Sequence, residues 1–262
     1  MYEFEFEKPS TVAEAVAALA EEDAQALGGG QTLIPTLKQR LAMPSKLVSL
    51  TGIPQLKELS DNGGMLTIGG AVTHAEVAEA AAGAYPALAD LAGRIGDPAV
   101  RNRGTIGGSL ANNDPAACYP AAALGSGATI VTNTREITAD DYFRGLFETA
   151  LNEGEIITAV RFPVPEKAHY EKFIQPASRF PMVAVFVAKY AAGVRVAVTG
   201  ASEDGVFRWN EAEAALDASF APDALDGLSV DAGGMIGDLH GSKEYRAHLV
   251  GVMAKRAVAA AG

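Results

Sequence analysis

Residues 24–35, AQALGGGQTLIP, run from a short strand-like segment through three consecutive glycines into the start of a helix. That order decides how the chain is read. In the loop Gly28-Gly29-Gly30-Gln31-Thr32 the glycines lack a Cβ, so the backbone can take positive φ and another group can come close. Consecutive N–H groups facing a concavity, with a helix N-terminus behind them, favour an anion such as pyrophosphate. Three glycines alone are equally compatible with a flexible turn.

A second loop narrows the choice. It reads Arg103-Gly104-Thr105-Ile106-Gly107-Gly108-Ser109-Leu110, then Asn112-Asn113-Asp114-Pro115. Glycines again permit close approach, and Thr105 and Ser109 add hydroxyls. Asn112, Asn113 and Asp114 suit ribose or ribityl hydroxyls, although Asn-Asn-Asp-Pro is also ordinary turn chemistry. Two N–H cradles in one chain suit a diphosphate better than a single phosphate. Neither G-x-x-x-x-G-K-[ST] nor G-x-G-x-x-G occurs, which removes the P-loop and the usual dinucleotide-binding Rossmann site.

Working outward, residues 2–7 alternate aromatic and acidic, which predicts a strand with one wet face. Thr11 and Glu14 have capping-box spacing ahead of the helix VAEAVAALAEE. KLVSL (46–50) and MLTIGG (65–70) read as strands, and 74–92 as helical. A loop-dense segment from Gly93 to Pro120 precedes the strands GATIVT and GEIITAVRFP. Pro163 and Pro165 bracket the best candidate boundary. Beyond it YEKFI, MVAVFVAKY and VRVAVTGA predict a three-stranded meander, followed by helices that end in a segment amphipathic up to its Ala-rich tail. The expectation is an α+β chain of three lobes, the first two forming one unit.

With 48% hydrophobic and 20% charged residues, the composition is that of a globular chain. A net charge of −11 argues against binding a phosphate polymer, so no nucleic-acid partner is expected. The opening MYEFEFEKPS lacks the features of a signal peptide, and no apolar run is long enough to span a membrane. Together with a single cysteine, Cys118, this leads to a cytoplasmic expectation. One cysteine cannot ligate an iron–sulfur cluster. His74, His169, His240 and His248 show no metal spacing and read as surface or capping residues, so no metal is expected. Cys118 reads as a small packing residue.

The segments GGGQTLIPTLKQRLAMPSKLVSL and GDPAVRNRGTIGGSLANNDPAACYPAA together resemble one family: the FAD-binding medium subunit of the molybdenum hydroxylases, which include aerobic carbon monoxide dehydrogenase and xanthine dehydrogenase-like enzymes. The chain's two ends resemble it too. The resemblance implies a p-cresol methylhydroxylase-like, two-lobed FAD-binding domain over residues 1–165 (lobes 1–55 and 56–165), and a C-terminal domain of a three-stranded antiparallel sheet and helices over 166–262. It places FAD-diphosphate contacts on Leu27, Gly28, Gly29, Gly30, Gln31, Thr32 and Leu33, and on Thr105, Ile106, Gly107, Gly108 and Ser109. Ile95 and Ile157 fall where relatives border the flavin ring, and Asn112 and Asp114 join the cofactor set. Gly107→Val is expected to abolish binding and leave the fold mostly intact.

By the same resemblance the chain carries electrons. A molybdenum-cofactor large subunit would hydroxylate substrate, a [2Fe–2S] small subunit would relay electrons to FAD here, and an external acceptor would collect them. A dimer of heterotrimers is implied, and no catalytic acid or base is assigned to this chain. Two departures stand out. Where many relatives read D-P-A-A-D, Cys118 replaces the last carboxylate. Where some carry a lysine near the flavin, Ile174 stands. Two other readings remain open: a stand-alone FAD oxidoreductase, and a non-catalytic nucleotide-binding module.

Overall fold

The computed structural model describes residues 1–261. Its first sheet is parallel throughout, with Lys46–Ser49 between Glu5–Glu7 and Ala24–Leu27. Parallel neighbours need crossovers, and the helices Val12–Leu19 and Leu33–Lys38 supply them. The first helix buries Ala15, Ala18 and Leu19 in a small core with Val48, Ile53 and Leu56. Its cap differs from the capping box in one respect. Thr11 Oγ1 accepts from Glu14 N at 3.2 Å, but the Glu14 carboxylate reaches back to Ser10 N at 2.7 Å rather than to Thr11. The alternation at 2–7 yields only three strand residues, and Tyr2 and Phe6 are exposed. The strand is a sheet edge, and its aromatic face is met by charged side chains rather than a core: Lys8 lies over the Phe6 ring and Arg40 over that of Tyr2.

The second sheet is antiparallel, in the order Leu59–Asp61, Met65–Gly69, Ile157–Pro163, Thr129–Thr132, Glu136–Thr138. The segment read as loop-dense holds three short helices instead, Pro98–Arg101, Ile106–Asn112 and Tyr119–Ser126. The first two are shorter than two turns, and every residue of the last is buried, so there was no apolar stripe to read.

The third sheet has four strands, not three: Lys167–Ile174, Pro181–Tyr190, Gly193–Ser202 and Gly205–Arg208. The last is four residues long and too short to declare itself by alternation. Both faces of this sheet are covered. Ala184, Phe186, Ala188 and Ala197 join the core of the second sheet with Tyr85 and Phe162. Val183, Val185, Val187 and Val196 pack with Leu249, Val250 and Met253 of the helix Lys243–Ala260. Double burial explains the unbroken apolar run MVAVFVA. In the Ala-rich tail of the closing helix Ala257 and Val258 are buried and Ala259 and Ala260 exposed, so one face still packs on the core. Among the described residues no helix is long and apolar enough to cross a membrane.

Candidate functional site

The first glycine loop leaves the C-terminal end of Ala24–Leu27 and turns at Gly30, where φ is +72°. Among the described residues, the backbone N–H groups from Gly28 through Leu33 donate to no protein acceptor. The last of these are the open N–H groups of a helix start, and the loop before them is only half-buried, so the whole run is reachable by a ligand. Thr32 precedes the helix Leu33–Lys38 without capping it through its side chain. The loop therefore presents a row of free donors.

The second loop is built differently. Ile106 N donates to Val72 O at 3.1 Å, Gly107 N to Gly70 O at 2.9 Å, and Gly108 N to Thr105 Oγ1 at 3.1 Å. With those N–H groups engaged, the expected second N–H cradle is not formed. What this loop offers is the bare Cα of Gly108, and the Ser109 hydroxyl and Asn112 amide, which have no protein partner among the described residues. Ile106 is fully buried in the core and does not border the cavity. Asn113 is structural too. It takes φ +42° at the end of Ile106–Asn112, and its amide donates to Gly145 O at 2.8 Å and Glu148 O at 2.9 Å.

Several glycines serve packing rather than ligand approach. A Cβ on Gly29 would overlap Arg103 O, and one on Gly104 would overlap the His74 ring. A Cβ on Gly107 would stand 2.6 Å from Gly70 O, and φ there is not positive. The expectation that Gly107→Val spares the fold is thereby overturned. The two loops lock together backbone on backbone; Gly28 and Gly108 also lie close to each other, with the Thr105 hydroxyl in the seam, and both border open space.

That space belongs to a cavity of about 810 Å³, well within the roughly 300–1,000 Å³ of small-molecule sites. Leu27, the first glycine loop and Leu33 form one wall, and Thr105, Gly107, Gly108, Ser109, Asn112 and Asp114 another. Ile95 and Ile157 make an apolar stretch. Asp114 Oδ1 accepts from Ala116 N at 2.8 Å, which holds its turn. At the far end the turn joining the first two strands of the third sheet closes in. There Ser178 and Arg179 both have positive φ, +58° and +63°.

Three further cavity residues escaped sequence reading as site residues. His74 is 5% exposed, not a surface residue, and its Nδ1 has no partner. Burial, helped by the positive charge of Arg101, pushes its imidazole down to about 4. Cys118 is buried but borders the cavity. Lys172 is buried beside it, with Nζ 3.6 Å from Cys118 Sγ. Ile174, the position taken to lack a cation, is 45% exposed and lies outside the cavity. Tyr170 and Lys172 point inward on alternate positions, but a bulge between Phe173 and Ile174 turns the next residue out. A cationic side chain, Lys172, lines the cavity two residues earlier. Among the described residues no cluster of three or more His, Cys, Asp or Glu could hold a metal.

A row of free N–H donors at one wall of a large, partly apolar cavity is the site of a protein that binds an anionic ligand with an apolar part. Residues 2–165 match the family described as the FAD binding domain in molybdopterin dehydrogenase, and the chain belongs to that family. It is a flavoprotein, an oxidoreductase subunit whose cofactor is FAD. It is 33% identical to the carbon monoxide dehydrogenase medium chain of Afipia carboxidovorans, over 97% of this chain and 95% of that one. It is 34% identical to the nicotine 6-hydroxylase medium subunit of Paenarthrobacter nicotinovorans, over 98% and 96%. A chain of reconstituted CO dehydrogenase from Oligotropha carboxidovorans superposes with a TM-score of 0.90 at 31% identity, covering 99% of this chain and 98% of that chain. The mixed helix-and-sheet architecture is that of these medium chains.

Proposed function

We propose that the chain is the FAD-carrying electron-transfer subunit of a molybdenum-containing hydroxylase. The observation that carries the reading is the unpaired N–H row from Gly28 through Leu33 facing the cavity. A Cβ on Gly28 or Gly108 would press on the Thr105 hydroxyl, at 2.8 and 2.9 Å, so the backbone stays bare where both loops border the cavity, which suits the close approach of a diphosphate. In this reading Gly28, Gly29, Gly30, Gln31 and Thr32 hold the diphosphate through their N–H groups, and Gly108 gives it room. Ser109, Asn112 and Asp114 bind cofactor hydroxyls. Ile95 and Ile157 would border the ring and help to exclude water from it. Bound FAD supplies a carrier that takes up electrons in pairs or singly.

The chain is proposed to join a molybdenum-cofactor large subunit and a [2Fe–2S] small subunit in a cytoplasmic dimer of heterotrimers, with an external electron acceptor. Medium chains of carbon monoxide dehydrogenase and nicotine 6-hydroxylase are its relatives, which supports this division of labour. We further propose that residues 1–165 form a p-cresol methylhydroxylase-like FAD domain and 166–262 a second domain.

The reading is tested on the purified, FAD-reconstituted chain. It is expected to accept electrons from dithionite, pass them to an artificial dye, and turn over no purine, aldehyde or carbon monoxide. Turnover of such a substrate in the absence of molybdenum and iron would favour a stand-alone oxidoreductase. Failure to take up FAD would favour a module without redox function.

A further inference from the structure

A thiol and an amine meet in the cavity wall. Cys118 stands just ahead of the helix Tyr119–Ser126, and Lys172 lies on the strand Lys167–Ile174. Each is 4% exposed, and both line the cavity. Lys172 Nζ stands 3.6 Å from Cys118 Sγ and donates to Arg94 O at 3.0 Å. Among the described residues the lysine is the thiol's only hydrogen-bonding partner, and no carboxylate pairs with the lysine. The surroundings offer little to divert either group. Tyr119 and Tyr170 bury hydroxyls that have no partner among the described residues, and His74, whose Nδ1 has none either, packs on the Tyr119 ring at 5.3 Å. Tyr170 lies close enough to feel the thiol: burial pushes its hydroxyl up, and Cys118 adds to the effect. The open side of the pair is the cavity, which has room for a small oxidant.

We propose that Cys118 and Lys172 form a reversible covalent cross-link, an Nζ–Sγ bond, when hydrogen peroxide enters the cavity. Peroxide first converts the thiol to a sulfenic acid: the O–O bond breaks, sulfur takes the hydroxyl, and one water leaves. Nζ, having released a proton to solvent, then attacks Sγ. The S–O bond breaks, the N–S bond forms, and a second water leaves. One thiol, one ammonium group and one peroxide thus become the cross-link, two waters and one proton, with sulfur giving up the two electrons that peroxide gains. The amine already touches the sulfur, so its capture of the sulfenic acid is intramolecular and outruns a second peroxide. The bond ties the start of a helix to a strand of the third sheet and halts Cys118 short of the irreversible sulfur acids. The inference does not depend on which ligand fills the cavity.

The experiment treats the purified full chain with hydrogen peroxide, digests it with trypsin in the absence of reductant and reads the peptides by mass. The expected product is residues 104–135 joined to 168–179, uncut after Lys172, with a mass about 2 Da below the sum of the two peptides. Dithiothreitol is expected to separate the pair and restore cleavage after Lys172. Lys172→Arg keeps the positive charge but has no amine to capture sulfur, and its Cys118 is expected to run on to the sulfinic acid, about 32 Da heavier. Should that variant fail to fold, the wild-type peptides decide alone. Sulfinic acid or an unmodified thiol at Cys118 of the wild type, with no joined peptide, overturns the inference. So does over-oxidation of Cys118 to the same extent in wild type and Lys172→Arg.

Discussion

Gly28 and Gly108 face each other across the two loops: a Cβ built on Gly28 would stand 3.6 Å from the Gly108 Cα and 2.8 Å from Thr105 Oγ1. Thr105 caps the helix Ile106–Asn112 by accepting from Gly108 N. One hydroxyl thus fixes the second loop and fills the seam against the first.

The neighbouring glycine has a different task, and substitution separates the two. Gly107 is buried with its Cα pressed on the Gly70 backbone, which has no flexible side chain to yield. Gly107→Val is expected to destabilise the fold by about 3 kcal/mol, the scale of overpacking in a tight interior. Chemical denaturation measures it, and wild-type stability in this variant would show that the seam is loose.

Asn113 is expected to matter for stability and not for the cofactor. It combines a left-handed backbone with two amide bonds to the carbonyls of Gly145 and Glu148. Asn113→Ala forfeits both features, at a cost of about 2–4 kcal/mol. Asn113→Gly keeps the conformation and is expected to lose less. Both variants, refolded at low temperature, should bind FAD as the wild type does, and weakened binding without loss of stability would place this side chain in the site.

Acid should reach the fold through His74. The folded protein holds its imidazole near 4, below the ordinary 6.5, because burial disfavours the charged form. Between those pH values the unfolded chain binds more protons than the folded one, so stability present at pH 7 is lost as pH falls through this window. The loss between pH 7 and 4.5 is about 2 kcal/mol for this group. Glu155, held down to about 2 chiefly by Arg135, adds its own loss only at lower pH. Urea titrations of wild type and His74→Phe should therefore differ by an amount that shrinks or reverses across pH 7 to 4.5. A constant difference would mean that His74 does not titrate in that window.

Local signals were legible and long-range ones were not. Glycines advertise a loop by their own chemistry, so the first cradle could be read from residues 28–33. The fate of the second loop's N–H groups depends on Gly70 and Val72, which only folding brings alongside. Lysine in a strand ordinarily reads as solvent-facing, and Lys172 is buried because Arg94 and Cys118 converge on it from other elements. The bulge before Ile174 has no mark in the sequence, so the strand gave no sign that this side chain turns out to solvent. His74 was misread for a related reason: helix-start residues are usually wet, but here Gly104 and Tyr119 close over the ring.

The most direct test of the account is an FAD titration of the purified full chain and of Gly108→Val, followed by flavin absorbance, with circular dichroism of each. Gly108 borders the cavity, and a Cβ there meets only the Thr105 hydroxyl at 2.9 Å and the Gly28 Cα at 4.0 Å. The fold should therefore survive, with at most the loss of a helix cap, about 1 kcal/mol. The expected result is one FAD per wild-type chain, and at least tenfold weaker binding by a folded Gly108→Val. Equal FAD affinity in the two proteins, or uptake of FMN alone by the wild type, would contradict the placement of the diphosphate between these loops.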